Sequence, residues 1–221
     1  MDEIAQWQQA QDRVIGLVAD LDDEQAARRV PACPDWTVKD LLAHMVGLGA
    51  DVVAGEEADD HNSGWTQAHV DARADHDVAA IVAEWQSLTG PLTAWMAANG
   101  ARPLGDVVIH EQDLRGALEA PGAEDNEGLD TIRDRMAGRF GPRVAEAGLP
   151  AIALISPTWE CRAGDGPVAV VLEASAFDLF RALVSRRSAS QLRSWVVEGD
   201  VSPYLAVFAG LGPLPSTDLA V

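Results

Sequence analysis

Apolar residues at Ile4, Trp7, Val14, Val18 and Leu21 recur at heptad-like spacing, so the chain opens on an amphipathic helix. A turn region follows, from Arg28 to Trp36, with Pro31 and Pro34 inside it. Thr37 then reads as an N-cap and Asp40 as the partner of a weak capping box. The second helix carries the stripe Leu41, Met45, Leu48 and Val52. Residues 56–77 are polar and acidic and read as a long loop over the bundle end, in the place of a lid. A third helix is predicted over about 77–98, with Val78, Ile81, Val82, Trp85, Leu88, Leu92 and Trp95 facing inward and a kink at Pro91. A fourth runs from Leu104 to Glu119 and stops at Pro121-Gly122, and a further helix covers about 126–146. Four long helices with one long crossover predict a bundle.

Beyond Gly148 and Pro150 the pattern changes. Ala151–Ser156, Thr158–Arg162 and Val168–Glu173 are short apolar or alternating runs, separated by Pro157 and by Gly164-Asp165-Gly166, and read as strands. Ser175–Ser185 reads as a helix, Arg193–Glu198 as a fourth strand and Pro203–Ala209 as a short helix. A domain boundary is therefore expected near 148–150: a mainly α chain, with a helical bundle over 1–148 and a small α/β domain over 149–221.

Charge changes at the same place. Up to Gly148 the chain has 28 acidic and 11 basic residues, and after it 7 and 5, which together give the net charge of −19. Such a field repels phosphate backbones and anionic lipid, so neither nucleic acid nor a membrane surface is an expected partner. No apolar run approaches the ~20 residues of a membrane span. The N-terminus is acidic and polar, unlike a signal peptide. Two cysteines, Cys33 and Cys161, make no disulfide framework. These features together predict a cytoplasmic protein, monomeric or homodimeric. Lys39 is the single lysine among sixteen basic residues, a hint of a high-GC genome.

Asp106 and His110 lie four apart on the fourth helix, which puts both side chains on one face. His44 lies between Leu41 and Leu48 on the inward side of the second helix. If these two helices are neighbours, the three groups converge. Two imidazoles and a carboxylate, with positions left for an exogenous donor, suit a catalytic Zn²⁺ or another divalent ion. The spacing also fits a plain surface ion pair, with His44 as a satisfied core histidine. The structural context decides between these readings.

The segment Val30-Pro31-Ala32-Cys33-Pro34-Asp35-Trp36-Thr37-Val38-Lys39-Asp40-Leu41-Leu42-Ala43-His44 resembles a signature of the mycothiol-dependent maleylpyruvate isomerase family, within the DinB-like metalloenzyme superfamily. Asp106 and the run from Val107 to Leu114 resemble its second signature, in which a carboxylate, a histidine and an Asp-Leu pair follow one another. The tail Leu183–Ser188 resembles the family's Arg-Arg helix end, with Ser185 in place of Gly. The resemblance implies a DinB-like four-helix bundle followed by a small α/β domain, with His44, Asp106 and His110 as metal ligands. Where the family usually has Glu, this chain has Asp106, whose carboxylate reaches about 1.5 Å less far. That shortening would set a metal lower, weaken its hold, or interpose a water.

The activity implied is that of a zinc-dependent enzyme using mycothiol, a low-molecular-weight thiol. A metal lowers the pKa of the thiol, as it does for water. For isomerisation, the thiolate would add to a cis double bond beside a carbonyl, and rotation and elimination would give the trans product. For S-transfer, it would attack an electrophile and stay attached. A metal–water hydrolase and a non-catalytic metal- or ligand-binding stress-response module are the rival readings.

Asp113, one turn beyond His110, is a candidate to orient an imidazole. Arg186 and Arg187 are candidates for a substrate carboxylate clamp; the alternative is exposed charge at a helix C-terminus. His61, His69 and His76 read as solvated in the polar loop, Cys33 as a buried structural thiol and Trp36 as core packing.

Overall fold

The capping box that opens the second long helix forms as expected. Thr37 Oγ1 accepts the Asp40 amide at 3.2 Å, and Asp40 Oδ2 accepts the Thr37 amide at 2.9 Å. The computed structural model describes residues 2–58 and 62–220. In chain order its elements are α1 (Glu3–Val18), α2 (Asp23–Ala26), β1 (Arg29–Val30), β2 (Cys33–Thr37), α3 (Val38–Ala54), α4 (Ser63–Asp71), α5 (Val78–Asn99) and α6 (Leu104–Ala117). There follow α7 (Glu127–Glu146), β3 (Ala151–Ile155), β4 (Glu160–Ala163), β5 (Val168–Glu173), α8 (Ala176–Leu183), α9 (Ala189–Ser194), β6 (Val196–Glu198) and α10 (Leu205–Phe208). No described helix is long and apolar enough to cross a membrane.

The chain divides into two compact units, residues 1–122 and 123–221. This corrects the boundary expected near 148–150. Helix α7 packs on β3, β4 and α8, and so belongs with the strands that follow it. Its Leu129, Ile132, Phe140 and Val144 are buried.

In the first unit α1, α3, α5 and α6 form a four-helix bundle. Within the bundle, helices α1 and α3 each pack against α5 and α6, which places them on opposite corners. Trp7 and Val14 of α1, Ile81 and Trp85 of α5 and Val107 and Leu114 of α6 fill the core. Helix α3 is buried continuously from Leu41 to Gly47, more than the single stripe expected, because it meets α4, α5 and α6. A charge cluster joins α1 to α6: Arg13 donates twice to the buried Glu111, at 2.9 and 2.7 Å, and Arg115 donates to the same carboxylate at 3.0 Å. Pro91 lies inside α5, which continues to Asn99.

The loop expected over 56–77 contains a helix, α4. Its N-cap Asn62 accepts the Trp65 amide at 2.9 Å. Few apolar residues mark it in the sequence; its inner face is Trp65 and His69, one turn apart, and it seats against α3. Gly47 of α3 permits this approach. A Cβ there would overlap the Cβ and Cγ of His69. His76 is exposed, as read, and its carbonyl accepts Lys39 Nζ at 3.1 Å. His61 lies outside the described residues.

In the second unit the strands form one sheet of order β4-β3-β5-β6. β3 pairs antiparallel with β4 and parallel with β5, and β6 is antiparallel to β5. Two sequence boundaries are corrected. The strand expected over 158–162 begins at Glu160, because the Ser156 hydroxyl accepts the Trp159 amide at 2.8 Å and holds a turn. The strand expected over 193–198 is helix up to Ser194 and strand only from Val196, since Ser188 and Gln191 make a capping box that starts α9.

Gly47→Ala is expected to lower stability by about 1–3 kcal/mol in urea unfolding, through overpacking against His69. Gly16→Ala is the control. Gly16 is exposed inside α1 with nothing near its missing Cβ, so that change should stabilise by roughly 0.5–1 kcal/mol. Equal effects at the two positions would show that α4 is not held at this distance.

Candidate metal centre

The β1–β2 hairpin and the capped start of α3 place His44 two turns into that helix, at its junction with α6. On α6, Asp106 lies in the first turn, where the helix dipole favours an anion, and His110 one turn further on. The two helices pack, and the three side chains converge. Asp106 Oδ1 is 3.5 Å from His44 Nε2 and 3.4 Å from His110 Nε2. The ligand atoms of all three residues lie within 4.8 Å of one another. Donors about 2.0–2.1 Å from a tetrahedral ion stand about 3.4 Å apart, so both carboxylate–imidazole distances suit a shared cation. Asp106 reaches both rings despite its short side chain.

The other nitrogen of each ring is also engaged. His110 Nδ1 is 2.9 Å from Oδ2 of Asp113, a carboxylate with 1% of its surface exposed. Cys33 Sγ lies 3.7 Å from the same oxygen. His44 Nδ1 is 3.1 Å from His69 Nδ1, and His69 Nε2 is 3.0 Å from Asp51 Oδ2. Trp65 Nε1 donates to that same oxygen at 2.6 Å.

Three sequence expectations are corrected here. His69 is not solvated; it is 4% exposed and bonded to a candidate ligand. Cys33 is not a buried structural thiol; it is half-buried beside His110 and Asp113. Trp36 is not core packing; it is half-buried, its indole donates to Gln67 at 3.0 Å, and its ring stands 4.9 Å from that of His44. Trp36 also lines a cleft of about 230 Å³ with Cys33, Pro34, Asp35, Ser63, Thr66 and Gln67. His69 and this polar wall depend on α4, which the sequence pattern did not reveal. The signal that could have found them was the helical spacing of Trp65 and His69.

Arg186 and Arg187 lie in the second unit. The Arg187 guanidinium is fully buried and donates to Asp178 at 3.0 Å, so it is neither a free clamp nor exposed charge. Arg186 is half-buried and donates to the Val184 carbonyl at 3.1 Å.

The electrostatics follow from this crowding. Burial presses the His110 pKa down, but the Asp106 charge and hydrogen bonds with Asp113 and Cys33 raise it to about 10. Burial presses the Asp106 carboxyl up, yet the His110 charge and the His44 ring hold it below its ordinary value. Burial lowers the pKa of His69 despite its bond to Asp51.

A helical bundle with a His–Asp–His cluster between two of its helices defines the class of fold. Residues 7–103, most of the helical first unit, match the family described as "Mycothiol maleylpyruvate isomerase N-terminal domain". The match takes in His44, His69 and the hairpin, and ends just before Asp106 and His110. Two crystal structures share the fold. One, a histidine-to-alanine mutant of the mycothiol-dependent maleylpyruvate isomerase, is 12% identical with a TM-score of 0.59. The other, the mycothiol-dependent maleylpyruvate isomerase, is 11% identical with a TM-score of 0.55. Each alignment covers 83% of this chain and 88% of the other. No curated protein matches the chain in sequence.

In the metal-free protein the raised pKa of His110 predicts a pH dependence. An imidazole at about 6.5 when unfolded and about 10 when folded stabilises fully below the lower value, and the contribution fades as pH rises through the upper one. With chelator present, the urea midpoint of the wild type should fall relative to that of His110→Gln between those limits. Parallel curves would show that His110 is not held in its charged form.

Proposed function

We propose that this chain is a divalent-metal enzyme, zinc being the first choice, that uses mycothiol to isomerise a small maleylpyruvate-like substrate. The observation that carries the reading is the pair of carboxylate–imidazole distances, 3.5 and 3.4 Å, with both Nε2 atoms facing one oxygen. Two nitrogens and one oxygen suit Zn²⁺ and leave a coordination position for an exogenous donor. When bound, the cation supplies Lewis acidity that lowers the pKa of a thiol placed there. His44, Asp106 and His110 would hold it, and Asp113 orients His110.

The reading puts the small molecules in the cleft beside Trp36, whose ring stands 4.9 Å from that of His44. Its wall offers hydroxyls from Ser63 and Thr66 and the Gln67 amide, donors and acceptors suited to a polar thiol. A double bond held near the thiolate would be attacked, would rotate as a single bond, and would reform on elimination with the trans geometry. The family match over residues 7–103 supports mycothiol as the thiol and isomerisation over S-transfer. Cys33 and Cys161 are joined in no disulfide, which fits a cytoplasmic setting.

Elemental analysis of protein reconstituted with Zn²⁺ or Co²⁺ should find about one ion per chain. Asp106→Ala should lose it with the helices intact, and Asp106→Glu should retain it. In a background lacking Cys33 and Cys161, mycothiol added to the Co²⁺ form should produce a cobalt–sulfur absorption band. Maleylpyruvate should then be isomerised only with thiol present. Metal retention by Asp106→Ala would refute the ligand set, and thiol-independent turnover would favour a hydrolase.

A further inference from the structure

His44 and His110 both present Nε2 to Asp106, but they are backed differently. His110 leans on Asp113 and Cys33, whereas behind His44 stand a second histidine, a carboxylate and an indole from two helices. Asp51 Oδ2 is the fixed point of that chain. An ionised carboxylate only accepts, so both groups bonded to it, Trp65 Nε1 at 2.6 Å and His69 Nε2 at 3.0 Å, carry hydrogens. In a neutral His69 ring the other nitrogen, Nδ1, is then an acceptor. It lies 3.1 Å from His44 Nδ1, and two ring nitrogens at that distance share one proton. That proton must come from His44.

We propose that His69 is a positioning residue for His44: the chain Asp51–His69–His44 fixes His44 in the Nδ1–H tautomer and leaves its Nε2 lone pair directed at the space beside Asp106. This inference rests on the metal-site reading above and deepens it. With Nδ1 committed as donor to His69, Nε2 is the atom that His44 turns toward Asp106 Oδ1, 3.5 Å away, and the one it can offer to a cation there. The packing is built for the chain. Gly47, one residue short of a turn beyond His44 on α3, has no side chain where the His69 Cβ and Cγ lie. Trp65, a turn before His69, stacks edge-on against it at 4.5 Å while donating to Asp51. Arg73, a turn after, donates to the His69 carbonyl at 3.0 Å and is paired with Glu84, so the end of α4 is tied to α5. No other described acceptor is seen at His44 Nδ1.

The test begins without metal. In ¹⁵N-labelled metal-free protein at neutral pH, ring-nitrogen shifts should show His44 protonated at Nδ1, with a through-hydrogen-bond coupling to His69 Nδ1. Chelator competition with Zn²⁺ should then show His69→Leu binding about 10–100-fold more weakly than wild type. His69→Asn, whose Oδ1 takes the place of the Nδ1 acceptor, should stay within a few-fold of it. A His44 ring bare at Nδ1, or His69→Leu binding Zn²⁺ as tightly as wild type, overturns the proposal. The wild-type spectrum decides the matter even where a variant fails to fold. Wild-type protein that binds no metal overturns the metal-site reading instead, while the tautomer measurement still decides the role of His69.

Discussion

The placement of one carboxylate between two imidazoles organises the first unit. Asp106 lies close to both rings, and neither ring can turn away without losing its own partner. His110 is tied to Asp113 within its own helix. His44 is tied to α4 through His69. Bringing three polar groups into a bundle is costly unless each is bonded or neutralised, and here each is held on more than one side. The surrounding apolar core of α1, α3, α5 and α6 supplies the rigidity that makes these distances reproducible.

The hairpin before α3 has work on both of its sides. Cys33 sits against Asp113, Trp36 against the His44 ring, and Thr37 caps the helix that carries His44. A single five-residue strand thereby fixes the helix start, one wall of the cleft and one neighbour of the second histidine. The short signature around Pro34 and Trp36 is explained by geometry: each side chain meets a different part of the site.

The second unit is built by other means. Its sheet is covered by α7, on which α8 packs, and its buried arginine, Arg187, is neutralised by Asp178 in the same unit. Arginine in a helix-end pair invites a substrate-binding role, but a guanidinium fully sealed from solvent and bonded to a carboxylate serves the local fold.

The sequence by itself determined the long helices, the capping box at Thr37, the strand-rich end and the shared helix face of Asp106 and His110. These follow from apolar periodicity, from local hydrogen-bonding chemistry and from helical spacing, all properties of neighbouring residues. It did not determine the unit boundary, because whether α7 joins the bundle or the sheet depends on which surface buries Leu129 and Phe140. It did not reveal α4, whose inner face is polar and is stabilised by Asp51 and His44 from another helix. For the same reason His69 read as a solvated loop residue, Trp36 as core and Arg187 as a clamp. A side chain's partners across the fold, not its neighbours in the chain, decide whether a polar group is solvent-exposed, structural or part of a site. Only the tertiary structure brings those partners together.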